Sequence, residues 1–303
     1  MRPLYLSAAL LALMAGLAAC DPTEDDYSDN FAAVAVDQIK VDLQQVTENG
    51  KKVNGVHVNV SCAAPIQISN GVNTFNTTDA TITLFNEGEN KVLVTAMNPD
   101  GSTVTKEISV NVETMSDNYP VLPQYNLLTN GSQKKWKWAT NEDPIFGTRC
   151  WGNWGWMDPS LLNGGGSIWW GVDTPEDLTG QLNHSIKGEA TGEESVDAYM
   201  VFSLIGTKIE TYNADGKLIR SGKFNLDKWN SPNISYEGLL VTTAESMLFP
   251  FQINKGGYAP TDFDVVRLTE TEMVLCVSDP TTYNTSNNNV DGEGTFWRFT
   301  AAE

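Results

Sequence analysis

Residues 88–112 read GENKVLVTAMNPDGSTVTKEISVNV. Val92, Val94 and Ala96 alternate with Leu93, Thr95 and Met97, and Ile108, Val110 and Val112 alternate with Ser109, Asn111 and Glu113. A period of two over short runs sends one set of side chains to a core and the other to water, the pattern of half-buried antiparallel strands. Between the runs stands Asn98-Pro99-Asp100-Gly101. Proline pre-sets one backbone angle and glycine takes the positive one, so this is a turn. Two strands and a tight turn are therefore expected, and the same alternation continues outward in both directions.

Upstream, Val56, Val58 and Val60 share one face, and Thr81, Thr83 and Phe85 oppose Ile82 and Leu84. Several short strands at this spacing predict a β-sandwich over residues 31–114. This segment has no tryptophan. Cys62 is expected as a small core residue, and His57, pointing away from Val56 and Val58, as a surface residue. The domain is assigned no chemistry; it is a spacer.

Before it lies an address. Arg2 supplies a positive start, and Leu4 to Ala19 is an uncharged apolar run, too short for a comfortable membrane-spanning helix. It ends Leu17-Ala18-Ala19-Cys20, which matches a bacterial lipobox. Residues 1–19 are thus expected as a lipoprotein signal peptide, Cys20 as the lipidated residue, and the acidic stretch 20–30 as a disordered tether. Acyl chains anchor firmly because each buried methylene contributes about 0.8 kcal/mol.

Downstream, residues 115–124 carry Pro120 and Pro123 and read as a short, stiff linker. All nine tryptophans follow it. Strand-like runs are expected over 198–204, 208–212, 217–224, 239–242, 265–268, 273–278 and 294–299, with a hairpin turn at Asn213-Ala214-Asp215-Gly216. No helical period exceeds two turns. The chain is therefore all-β, its second domain (125–303) a larger, lectin-like β-sandwich or flattened barrel. Trp136 and Trp138 share one face of a strand and are expected in the core, as are Trp229 and Trp297.

Within that domain, residues 148–172 read TRCWGNWGWMDPSLLNGGGSIWWGV. Five indoles are separated by glycine and asparagine rather than by the branched aliphatics of a core. Glycine permits sharp turns and close approach, which suggests a loop-rich aromatic platform. Flat apolar faces with polar neighbours suit sugar rings. The pool of stacking residues is Trp151, Trp154, Trp156, Trp169 and Trp170, with Asn153, Asp158 and Asn163 as hydrogen-bonding partners. Not every ring need be exposed: Trp169 and Trp170 are adjacent and can point to opposite faces. The competing reading is an aromatic cluster packed under a loop.

The formal net charge of −19 argues against a nucleic-acid partner, which needs a basic footprint, and suits neutral or cationic ligands. Four cysteines are too few for a disulfide scaffold; Cys150 and Cys276 remain a possible pair. Enzymatic patterns are weak. Glycoside hydrolysis needs two carboxylates flanking the bond, and the nearest E-x-D-x-x-E spacing, Glu24, Asp26 and Asp29, lies in the tether. Glu193 and Glu194 are adjacent, hence on opposite strand faces. Gly165-x-Ser167 begins a nucleophile elbow, but Trp169 stands where its closing glycine belongs. His57 and His184 have no recognisable partner. Asn287, Asn289, Asp291 and Gly292 fit the start of an EF-hand loop, yet Arg298 occupies the place of its bidentate glutamate. No catalytic residue, metal or cofactor is expected.

Residues 88–112 resemble the last two strands of PKD-like, immunoglobulin-type domains, although ISNG (68–71) sits roughly where many carry a tryptophan-containing turn. LTNGSQKKWKW (128–138), SIWWGV (167–172) and DFDVVRLTETEMVLCV (262–277) closing with GTFWRF (294–299) resemble the carboxy-terminal β-sandwich of Bacteroides cell-surface glycan-binding proteins. Lipocalin-like lipoproteins of no known function share the Trp-Trp and Phe-Trp-Arg-Phe elements. The resemblance implies a lipoprotein of a polysaccharide utilization locus, anchored through Cys20 on the outer face of the outer membrane. It implies capture of a neutral polysaccharide, for which a β-glucan such as laminarin is the working choice, beside an outer-membrane transporter and its lid lipoprotein. The alternatives are a glycoside hydrolase with an unrecognised carboxylate pair and a structural envelope lipoprotein.

Overall fold

In a computed structural model, the structure describes residues 33–156, 168–173, 177, 195–227, 238–243, 261–278 and 292–303. The alternating runs become strands. In the first domain β1 (Lys40–Glu48), β2 (Lys51–Ser61) and β5 (Asp79–Thr83) form one sheet, and β3 (Ile66–Ser69), β4 (Thr74–Phe75), β6 (Gly88–Met97) and β7 (Thr103–Val112) form another. Val56, Val58, Ile82 and Leu84 from the first sheet meet Ile68, Val92, Val94 and Val110 from the second in one buried cluster. The β6–β7 pairing runs unbroken from Gly88↔Val112 to Met97↔Thr103, and its turn places Gly101 at φ 81°. His57 lies at the surface, 3.6 Å from Asp79.

The second domain is a closed barrel, which settles the choice between sandwich and barrel. Its ring runs through β8 (Gln133–Trp138), β11 (Tyr199–Ser203), β12 (Lys208–Tyr212), β13 (Leu218–Asp227), β14 (Gly238–Thr242), β15 (Asp262–Leu268), β16 (Glu272–Ser278) and β17 (Gly292–Ala302), each strand antiparallel to the next. Pairing of β17 with β8 closes the ring of eight strands. Closure removes sheet edges, which explains why a simple up-and-down order is stable here. An eight-stranded barrel is just wide enough for side chains to fill. Trp136, Trp138, Met200, Phe202, Ile209, Phe224, Leu240, Phe263, Leu275, Trp297 and Phe299 fill this one. Trp136 and Trp138 are indeed core. Trp229 lies outside the described residues.

Two further strands, β9 (Trp151–Trp156) and β10 (Ile168–Val172), extend the sheet beyond the ring. The long strand β17 makes this possible. Phe299–Ala302 pair with β8 and close the ring, while Gly292–Trp297 pair with β9. Residues 139–150 loop out between the two. That loop covers the outer wall, where Phe146 packs with Val266, Val274, Cys276 and Phe296.

The helix α1 (Pro123–Thr129) caps the other end of the barrel. Proline opens it, where a missing N–H costs nothing. Tyr125 and Leu128 face the barrel core, and Trp136 Nε1 donates to the carbonyl of Leu128 at 2.9 Å. Phe85, which opposes Ile82 and Leu84 in the first domain, packs into this same core, edge-on to Tyr125 at 5.2 Å. The proline-containing segment expected as a linker is tied down. Asn54 donates to the carbonyl of Tyr119 and accepts from the amide of Ser116, and Glu48 accepts from Ser116 and Asn118. A Cβ on Gly55 would lie 2.3 Å from the Tyr119 ring, so glycine is required for that contact.

Cys150 and Cys276 are both free. Cys150 belongs to the barrel core and Cys276 to the outer-wall cluster. Burial pushes the Cys150 thiol up to about 12, so it stays protonated and unreactive.

Candidate functional site

The aromatic stretch departs from expectation first in its backbone. Residues 151–156 and 168–172 are paired strands, not loops. Their glycines serve close approach rather than turning. A Cβ on Gly152 would lie 2.4 Å from the carbonyl oxygen of Trp170 and 2.8 Å from the Phe296 ring, and one on Gly171 would meet the Arg149 side chain at 2.5 Å. Glycine in a strand marks exactly this kind of intrusion as well as a turn, and sequence alone does not separate the two.

Register then assigns faces, because directly paired residues project to the same side of a sheet. Trp151 pairs with Trp297, and Asn153 pairs with both Thr295 and Trp170. These side chains therefore continue the inner wall of the barrel past its rim. Exposure rises along that wall: Trp297 is fully buried, Trp151 is 2% exposed, Asn153 6% and Trp170 43%. Trp170 stands edge-on against Trp151, with centroids 5.8 Å apart and planes at 84°. Beneath it, Arg149 pairs with Asp173 at 2.9 Å and Thr148 donates to the carbonyl of Asp173.

The expected stacking residues thus separate. Trp170 presents a ring to water on a strand paired with β9. Trp151 is core and offers no open face; it is corrected from a stacking residue to the support that holds Trp170. Asn153 sits beside Trp170 but is mostly covered. Trp154, Trp156 and Trp169 are placed in β9 and β10, and their side chains lie outside the described residues. Asp158, Asn163 and Cys20 lie outside them entirely. Thr295, which shares the face of Asn153 and Trp170, was not expected; a lone threonine in a strand carries no signal in sequence. Deeper in, the indole N–H groups of Trp138 and Trp297 are buried and have no hydrogen-bond partner among the described residues.

The carboxylates Glu272 and Asp143 on the outer wall are structural. On the outer wall Arg298, fully buried, donates from Nε to Glu272 at 2.6 Å and from Nη1 to the carbonyls of Asn141 and Gly147. Arg267 bridges Glu272 and Asp143, at 2.6 Å to each. The other oxygen of Asp143 accepts from the amides of Ile145 and Phe146. Burial pushes the Asp143 carboxyl up, but these amides and the Arg267 guanidinium outweigh it and hold it below its ordinary value. Such a carboxylate is ionised and fully engaged, the opposite of a general acid. Arg298, read in sequence against an EF-hand, is the hub that pins loop 139–150 to the barrel. No group of three or more metal-ligating His, Cys, Asp or Glu side chains occurs among the described residues. Nor does any helix among them have the length and apolarity to cross a membrane.

No family model and no curated protein matches this chain.

Proposed function

We propose that the protein captures a neutral polysaccharide without cleaving it, at the rim of the barrel where β9 and β10 extend beyond the ring. The observation that carries this reading is Trp170, 43% exposed on a strand paired with β9 and braced edge-on by buried Trp151. An indole held so has lost its conformational freedom before a ligand arrives, and rigid aromatic anchors bind at low entropic cost. C–H faces of pyranose rings stack on the indole, the contact that an exposed aromatic face supplies. A β-glucan such as laminarin is the first ligand to test. The net charge of −19 disfavours anionic polymers.

On this reading the first domain is an immunoglobulin-type spacer of the PKD kind, and lipidated Cys20 anchors the protein to the outer membrane, facing outward. A transporter and its lid lipoprotein would receive the captured chain. The test is affinity electrophoresis of the soluble chain beginning after Cys20 through gels carrying laminarin, xylan, mannan or no polysaccharide. Retardation by at least one polymer, relieved in Trp170→Ala, is expected, with no reducing-sugar release. Equal mobility in every gel sinks the reading.

A further inference from the structure

At the helix-capped end of the barrel, remote from Trp170, a cleft of about 550 Å³ opens between the two domains. One wall is Asn86, Glu87 and Glu89 of the first domain; the other is Asn126, Asn130 and Ser132 around the end of α1. The volume falls within the range of about 300–1,000 Å³ usual for small-molecule sites, which favour domain junctions.

The walls are held in place by the backbone. Asn86 Nδ2 donates to the carbonyl of Gly131 at 3.0 Å, across the junction. Gly131 has φ 72°, which strains any side chain, and a Cβ there would crowd the Asn86 amide at 3.1 Å and Asn126 Oδ1 at 3.3 Å. Glu87 accepts from the amide of Met115, and Glu89 from the hydroxyl of Ser109, each through Oε1. Among the described residues the second oxygen of each carboxylate has no hydrogen bond, and buried Asn86 Oδ1 has none either.

The chemistry of the lining selects its ligand. Two carboxylates and no cationic side chain line the cleft, which repels anions. Two exposed amides, Asn126 and Asn130, both donate and accept, as sugar hydroxyls do, and carboxylates accept from hydroxyls in the stronger, charge-assisted manner. Met115 adds an apolar patch for a ring face. We infer that this cleft is a second saccharide-binding site, holding one unit of a neutral glycan between the domains. The class of ligand rests on the glycan-capture reading; the location does not.

The test uses the soluble chain from residue 21 with laminarin as probe, read by hydrogen–deuterium exchange and isothermal titration calorimetry. Protection is expected in two separate places, residues 168–172 and residues 85–90 with 126–132. Glu87→Gln/Asn126→Ala removes protection only from the second and weakens overall affinity about tenfold, as loss of one or two hydrogen bonds to charged groups should. Glu89→Gln, at the rim, gives a smaller loss in the same place and serves if the double variant melts early. Protection confined to residues 168–172, with unchanged binding by both cleft variants, overturns the second site and leaves glycan capture standing. Absence of any protection or heat with laminarin, xylan and mannan overturns both.

Discussion

The end of the barrel that meets the first domain is shut by α1, with Tyr125, Leu128 and the intruding Phe85 packed on Trp136 and Phe224. At the other end β9 and β10 carry the sheet past the ring, and Trp170 is left 43% exposed. The same residue type is spent in two ways. Trp136 has its ring enclosed and its N–H bonded to Leu128; Trp170 has its ring half in water and rests on another indole. Position along the barrel axis decides which tryptophan is enclosed in the fold and which stands open to water.

Substitutions at the two ends should therefore separate stability from binding. Trp136→Ala is the largest expected effect: cavity formation should cost about 3–5 kcal/mol in chemical denaturation. If it costs no more than a surface change, the closed end is not the core it resembles. Glu272→Gln, at the start of β16, leaves buried Arg298 and half-buried Arg267 short of a counter-charge and should cost about 3 kcal/mol. A loss much below 1 kcal/mol would mean that the two guanidiniums hold loop 139–150 without help from Glu272.

Gly152→Ala tests the extension. Its Cβ would intrude on Trp170 and Phe296, and overpacking of this kind costs about 1–3 kcal/mol. Tryptophan fluorescence should shift as Trp170 is displaced, and laminarin binding should fall with it.

Asp143→Asn is smaller and depends on pH. The folded carboxyl titrates below its ordinary value of 3.8. Its stabilisation is therefore fully present above that value and is lost as pH falls through the depressed one. The wild type should show an acid-induced loss that the variant lacks, while at neutral pH the variant is less stable by about 1 kcal/mol. Parallel acid-unfolding curves would refute the assignment. Trp170→Ala should change stability least, by under about 1 kcal/mol, yet weaken glycan binding at least about tenfold. A thermal shift as large as that of Trp136→Ala would erase the distinction between the two ends.

Strands were the most legible feature. The run 208–212 is β12 itself, and 273–278 differs from β16 by one residue. Alternation of large β-branched and aromatic side chains is local information, and strands state it openly. Ring closure was not legible, because it depends on Trp138 meeting Phe299, a pairing that no local pattern announces. Glycine misled for a physical reason. Gly152 and Gly171 make room for neighbours distant in sequence, and a missing side chain looks the same whether it permits a turn or an approach. The interdomain cleft had no motif at all; its asparagines come from segments brought together only by the junction.

One strand has a bearing on how the protein is made. The ring cannot close until β17, the last of its eight strands in chain order, has been made. Until then β8 lacks a neighbour on one side, and Trp136 and Trp138 are unshielded. Pairing across so long a stretch of chain is slow, and it exposes apolar surface meanwhile. A chain cut short before residue 292 should thus accumulate as aggregate rather than as a smaller folded protein, and a chaperone would be needed until β17 is in place.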